Sequence, residues 1–159
     1  MSAAGQNVLL VIPAGKEPRH AIAGAIDLAR QRDTNLVALV VIDPNLPTYA
    51  ASSLTDVGFV GEEVAEQVSD AIVREHRECA RALLQVLAEQ AKKESVVVTP
   101  LIEEGDISEI CRRVIRTHQV GTAILVTEKR SWLTRFLSRS AAAQLPALAG
   151  CEVHVMEED

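Results

Sequence analysis

Basic residues are in deficit in this chain: 16 lysines and arginines stand against 22 aspartates and glutamates over 159 residues, a formal net charge of −6. That balance excludes general nucleic-acid binding, which needs a basic face to displace phosphate counterions. Long apolar runs are missing too. No segment reaches the ~18 uninterrupted apolar residues of a membrane span, and the opening MSAAGQN has neither a basic leader nor an apolar core. The expectation is a cytoplasmic protein with no membrane span and no nucleic-acid partner. Cysteine is sparse and unpatterned. Cys79, Cys111 and Cys151 are odd in number and form no CxxC pair, which predicts reduced, buried thiols packing as small hydrophobes. Catalytic spacing is absent as well. His20, His76, His118 and His154 lie far apart, and no metal cluster, activated nucleophile or Ser/His/Asp layout can be read. No catalytic residue and no metal ligand is therefore assigned, and the chain is read as not an enzyme.

What is present is a hydrophobic share of 48%, enough for one sizeable core and hence a single domain over residues 1–159. Two periods alternate along it. NVLLVI (7–12) and LVALVVI (36–42) are continuous apolar runs, as in strands buried on both faces. Between them Ile22, Ala25, Ile26 and Ala29 recur at helical spacing behind Pro18, which suits a first helical turn. A strand, helix, strand unit of this kind is a right-handed parallel crossover.

The stretch 43–61 has no sustained period and reads as a long loop leaving the carboxyl end of the second strand. From Glu62 to about Lys93 runs the longest helical pattern, with an apolar stripe on Val64, Val68, Ile72, Cys79, Leu83, Val86 and Leu87. At 1.5 Å per residue it spans roughly 45 Å, so it overhangs the sheet or bends. His76 falls on this stripe and is read as core-edge packing. SVVVTPLI (95–102) is the third strand, with Pro100 favouring an edge. Asp106 and Glu109 make a capping-box-like helix start, and His118 closes that helix. Glu103 and Glu104 have no converging partner in sequence and are read as structural. Thr122 to Val126 is the fourth strand, and Trp132, Leu133, Phe136, Leu137 and Leu145 mark a last helix. CEVHVM (151–156) alternates, as a half-buried edge strand does.

The tally is an open five-stranded parallel α/β sheet, order 3-2-1-4-5, sandwiched by helices in a Rossmann-like arrangement. In that order the strand direction of winding reverses between the first and fourth strands. The turn Pro13, Ala14, Gly15, Lys16 and the turn after Thr127 then flank one crevice, where a ligand is expected. The second of these turns opens a segment with no glycine between Thr122 and Gly150, and it carries Lys129, Arg130, Arg135 and Arg139 instead.

The alanine-rich helix after the first strand, VIDP (41–44), EEGDISEI (103–110) and CEVHVM together resemble a universal stress protein domain over essentially the whole chain. The resemblance implies the adenine nucleotide alpha hydrolase-like version of the fold. In family members that bind ATP, an aspartate ends the first strand, and a glycine motif follows the fourth: Gly, two residues, Gly, nine residues, then Gly followed by Ser or Thr. On this chain the aspartate position is Pro13. The glycine positions are Thr127, Arg130 and Ser140, with Ala141 after the last. Val41 matches a backbone adenine contact. Side chains at Thr127 and Arg130 occupy space that glycines leave for a triphosphate, and Pro13 can neither accept from a ribose hydroxyl nor donate an N–H. ATP and magnesium are therefore not expected as cofactors. The resemblance also implies a homodimer through the last strand, Cys151 to Met156.

Two classes of function remain open. One is a non-catalytic stress-response or signalling module whose basic turn docks a protein partner. The other is a binder of a nucleotide or other phosphate-bearing small molecule through Lys129, Arg130 and Arg139, whose guanidinium forks suit phosphate.

Overall fold

Uninterrupted runs of Val, Leu and Ile can be hidden only in strands covered on both sides, and those runs form the centre of the sheet. In the computed structural model, which describes residues 6–42, 62–127 and 151–157, β1 (Asn7–Pro13) and β2 (Leu36–Ile42) lie side by side with α1 (Arg19–Gln31) between them in sequence. The chain continues through α2 (Glu62–Lys93), β3 (Val98–Glu104), α3 (Ile107–Thr117), β4 (Val120–Thr127) and β5 (Glu152–Glu157). The five strands form one sheet in the order β3-β2-β1-β4-β5, and each neighbouring pair is parallel. The order and the parallel pairing agree with the sequence reading.

Alternation along the central strands divides the core in two. Val8, Leu10 and Ile12 of β1 and Leu36, Ala38 and Val40 of β2 pack under α1 and α2. Leu9 and Val11, with Val37, Leu39 and Val41, pack under α3 instead. The predicted capping of α3 is present, with Asp106 Oδ2 accepting from the Glu109 N–H at 3.1 Å. His118 closes the helix through its backbone N–H, which donates to the Val114 carbonyl, while its own carbonyl accepts from Asn7 Nδ2 at 2.7 Å.

β3 occupies one edge, and Pro100 shows why it can. The Val97 carbonyl accepts from Leu36 and the Gly105 N–H donates to Ile42, so odd-numbered residues of this stretch face β2 and Pro100 presents its missing N–H to the free edge. The strand itself corrects the sequence reading, since it runs over Val98–Glu104 and not over residues 95–102. Ser95 takes a left-handed φ of 61° and closes the turn after α2, while Glu103 and Glu104 stay in register with Val41 and Ile42.

α2 is also rotated relative to the expected stripe. Ala80, Leu84, Leu87 and Ala91 are the buried positions, whereas Val86 is 60% exposed and Cys79 is an exposed thiol. Small alanines let the helix approach the sheet closely, and a stripe counted on large side chains alone passes over them. The expectation of three buried cysteines thus holds for Cys111 and Cys151 only. At the other edge β5 pairs, among the described residues, with β4 alone. Cys151 is buried there, Val153 is half-buried and Glu152 and His154 are exposed, as the alternation predicts, but the pattern fails at the strand's end, where Val155 is exposed and Met156 is half-buried. No described helix is long and apolar enough to cross a membrane. The loop 43–61 and the last helix expected from Trp132 to Leu145 lie outside the described residues.

Candidate functional site

Parallel strands deliver their carboxyl ends to one rim, and the winding reverses between β1 and β4, the place where open α/β sheets take their ligands. Pro13 is the last residue of β1 and sits opposite Val41 of β2. β1 and β4 are in register as far as Val11 and Leu125, two residues short of Pro13 and Thr127. The sheet therefore brings Pro13, Val41 and the end of β4 to one rim. Val41 is buried, and its carbonyl accepts the Ala14 N–H at 3.0 Å, so that carbonyl already has a partner.

After Ala14 the chain must leave the sheet plane. Gly15 does this at φ 89°, a conformation that strains any residue with a Cβ. Lys16 follows as an exposed residue on the open side of the turn. A group from another element reaches the same place: a Cβ built on Gly15 would lie 3.6 Å from Nε2 of His76. His76 is half-buried. It comes from α2, whose next residue, Arg77, pairs with Glu104 at the end of β3 at 2.8 Å. That ion pair marks this turn of α2 as lying beside the carboxyl end of β3. The sequence reading gave His76 a core-edge packing role, and the ring is half-buried beside this turn.

The paired acids behave as the sequence reading expected of structural residues. Glu103 lies 3.1 Å from Arg113 and Glu104 is engaged by Arg77; both pairs are partly exposed, where such bridges contribute little. No group of three or more metal-ligating side chains occurs among the described residues. His154 lies 3.0 Å from Glu152 on β5, away from His76 on α2 and His118 at the end of α3. Two open grooves flank the molecule elsewhere: about 420 Å³ between α2 and β3 around Leu84 and Pro100, and about 400 Å³ between α1 and β5 around Leu28 and Met156. Burial pushes the Cys111 thiol up to about 12, with Asp106 and Cys151 adding to the effect. Burial also raises Cys151, against a backbone hydrogen bond from Ala123. Neither thiol is a ready nucleophile.

Of the expected ligand residues, Pro13, Ala14, Gly15, Lys16 and Val41 are thus brought together on the rim. Thr127 ends β4. Lys129, Arg130, Arg139, Ser140 and Ala141, together with Arg135, lie outside the described residues.

An open five-stranded parallel sheet in this order defines a Rossmann-like α/β domain. The family model of the universal stress protein family matches residues 5–157, so the chain belongs to that family. Solved structures agree in fold. A universal stress protein family member from Burkholderia pseudomallei is 19% identical, with 98% of each chain covered and a TM-score of 0.66. UspA from Lactobacillus plantarum is 16% identical, covering 98% of this chain and 99% of that one, with a TM-score of 0.67. The universal stress protein from Archaeoglobus fulgidus in complex with dAMP is 13% identical, covering 95% and 96%, with a TM-score of 0.55. At these identities the likeness carries the fold alone. The comparison with curated proteins gives no match.

Proposed function

We propose that this chain is a non-catalytic universal stress protein module that does not hold ATP in the manner of the family's ATP-binding members, and that its crevice binds a smaller phosphate-bearing molecule. The observation that carries the reading is Pro13 at the crevice end of β1, beside Val41. A pyrrolidine ring offers neither a carboxylate for a ribose nor an N–H, and Thr127, Arg130 and Ser140 stand in the sequence at the positions that the family's ATP-binding motif gives to glycine. Basic residues remain: Lys16 on the first turn, and Lys129, Arg130 and Arg139 after β4. In a body of net charge −6 these basic residues are the ones suited to drawing in an anion. The dAMP complex of the Archaeoglobus fulgidus relative supports a ligand of nucleoside monophosphate size.

The test is a thermal-shift and calorimetric screen with ATP, AMP, cyclic nucleotides and inorganic phosphate, because a ligand selective for the folded state raises the melting temperature. AMP or phosphate is expected to stabilise the protein, and Lys129→Ala and Arg130→Ala to weaken the effect. Micromolar ATP binding with magnesium would contradict the proposal. A second reading, favoured by the same basic turn on an acidic body, is docking of an acidic protein partner; it follows if no small anion shifts the melting temperature. We further propose a cytoplasmic homodimer joined through β5.

A further inference from the structure

The turn that ends β1 is built from two elements, and only one of them was visible in the sequence. Gly15 at φ 89° leaves the space beside its Cα open, and the group facing that space is the imidazole of His76, 3.6 Å from where a Cβ would stand. The contact is ordinary van der Waals distance, so it does not explain why a polar ring lies there. Hydrogen bonding does not explain it either. His76 makes no hydrogen bond or ion pair with a described residue, and no fully buried side-chain nitrogen or oxygen among those residues lacks a partner. The ring is half-buried all the same. Neither ring nitrogen is sealed from water without a partner, and the Nε2–Cδ2 edge is the one turned toward Gly15.

Its position is enforced from below. Arg77, one residue on, is held to Glu104 at 2.8 Å, and Leu84, Leu87 and Ala91 seat the rest of α2 on the sheet. An imidazole fixed by its helix, unsatisfied by the protein and beside the Pro13–Lys16 turn is placed to meet a ligand. We infer that His76 is a ligand-contacting residue of the crevice, donating a ring N–H to an oxygen of a phosphorylated small molecule. The inference rests on the binding reading above and adds to it a group from α2.

The experiment uses AMP as the probe on the full chain. Imidazole nitrogen resonances of the wild type are followed during titration, and calorimetry compares wild type, His76→Gln and His76→Ala. The expected result is a shift of the His76 nitrogen signal on saturation, with AMP affinity reduced about tenfold in His76→Ala and less in His76→Gln, since loss of one charge-assisted hydrogen bond has that scale. The wild-type spectrum keeps the test valid even if a variant folds poorly. AMP binding with an unmoved His76 signal and unchanged His76→Ala affinity would overturn the role of His76 while leaving the binding reading intact. Absence of any AMP binding by the wild type would overturn both.

Discussion

Gly15 and Gly24 are the same residue type under opposite constraints, and a single methyl group distinguishes them. At Gly15 the φ of 89° is left-handed territory, while the nearest atom to an added Cβ is His76 Nε2 at 3.6 Å. The cost of Gly15→Ala is thus backbone strain and not a clash, about 1–2 kcal/mol. Gly24 lies in α1 with nothing within 4 Å of an added Cβ, so Gly24→Ala raises stability by about 0.5–1 kcal/mol through helix propensity. Urea titration of the two variants should move the midpoint in opposite directions; a shift of both the same way would contradict the assignment of the turn. The buried thiol supplies a pH test. Cys111 is raised from 9.0 to about 12 in the fold. Below about pH 9 both states keep the proton, and its contribution to stability is fully present. As pH climbs from 9 toward 12 the unfolded chain loses that proton while the folded chain retains it, so stability falls by ~1.4 kcal/mol per pH unit. Between pH 8 and 10.5, the urea midpoint of the wild type should drop more steeply than that of Cys111→Ala. Parallel slopes would show that Cys111 does not set the alkaline limb.

At the scale of elements, the helix phase of α2 is the finding with the most consequence. The predicted stripe put Val86 and Leu87 together in the core; the structure buries Leu87 fully and leaves Val86 60% exposed. Leu87→Ala should therefore cost roughly 2–5 kcal/mol, as for a deleted core side chain, and Val86→Ser should stay within about 0.5 kcal/mol. Chemical denaturation of both variants checks the rotation, and equal losses would restore the predicted stripe. The reason the phase was hard to read is physical. Ala80 and Ala91 sit at the contact because the helix comes close there, and small residues carry little hydrophobic weight in a pattern. The same element explains why periodicity did not place His76 at the rim. Periodicity reports which face a residue occupies but not how far along the sheet it lies. Lengths do: from Arg77 to Lys93 a helix rises ~24 Å, close to the ~20 Å of seven-residue β3, so a residue just before Arg77 must stand at the strands' carboxyl rim. The strands were easier. β2 was legible to the residue, because a run of seven apolar residues bounded by polar ones leaves no freedom, whereas β3 was misplaced by its apolar prefix, where Val97 is 63% exposed and the hydrogen-bonded strand begins one residue later.

For the whole molecule, the order of the sheet follows from one crossover rule and two buried strands, and it places the crevice residues Pro13, Lys16 and Val41 without any knowledge of side-chain contacts. The same order leaves two unequal edges. β3 carries Pro100 with its nitrogen outward and charged ends at Glu103 and Glu104, features that discourage strand addition. β5 has no proline, pairs on one side only among the described residues, and exposes Val155 at 47%. Two of its polar residues, Glu152 and His154, contact each other within the chain at 3.0 Å, which leaves the Glu152 carboxylate partnered at this edge. An antiparallel pairing of two β5 strands is isologous and satisfies both edges at once. The proposed dimer should therefore depend on Val155: analytical ultracentrifugation is expected to give a dimer for the wild type and for Val155→Ile, and a folded monomer, whose melting temperature no longer varies with protein concentration, for Val155→Arg. β4 separates β5 from β1, so the monomeric variant should keep its affinity for the crevice ligand. A monomeric wild type, or a dimer indifferent to Val155→Arg, would remove β5 as the joining strand.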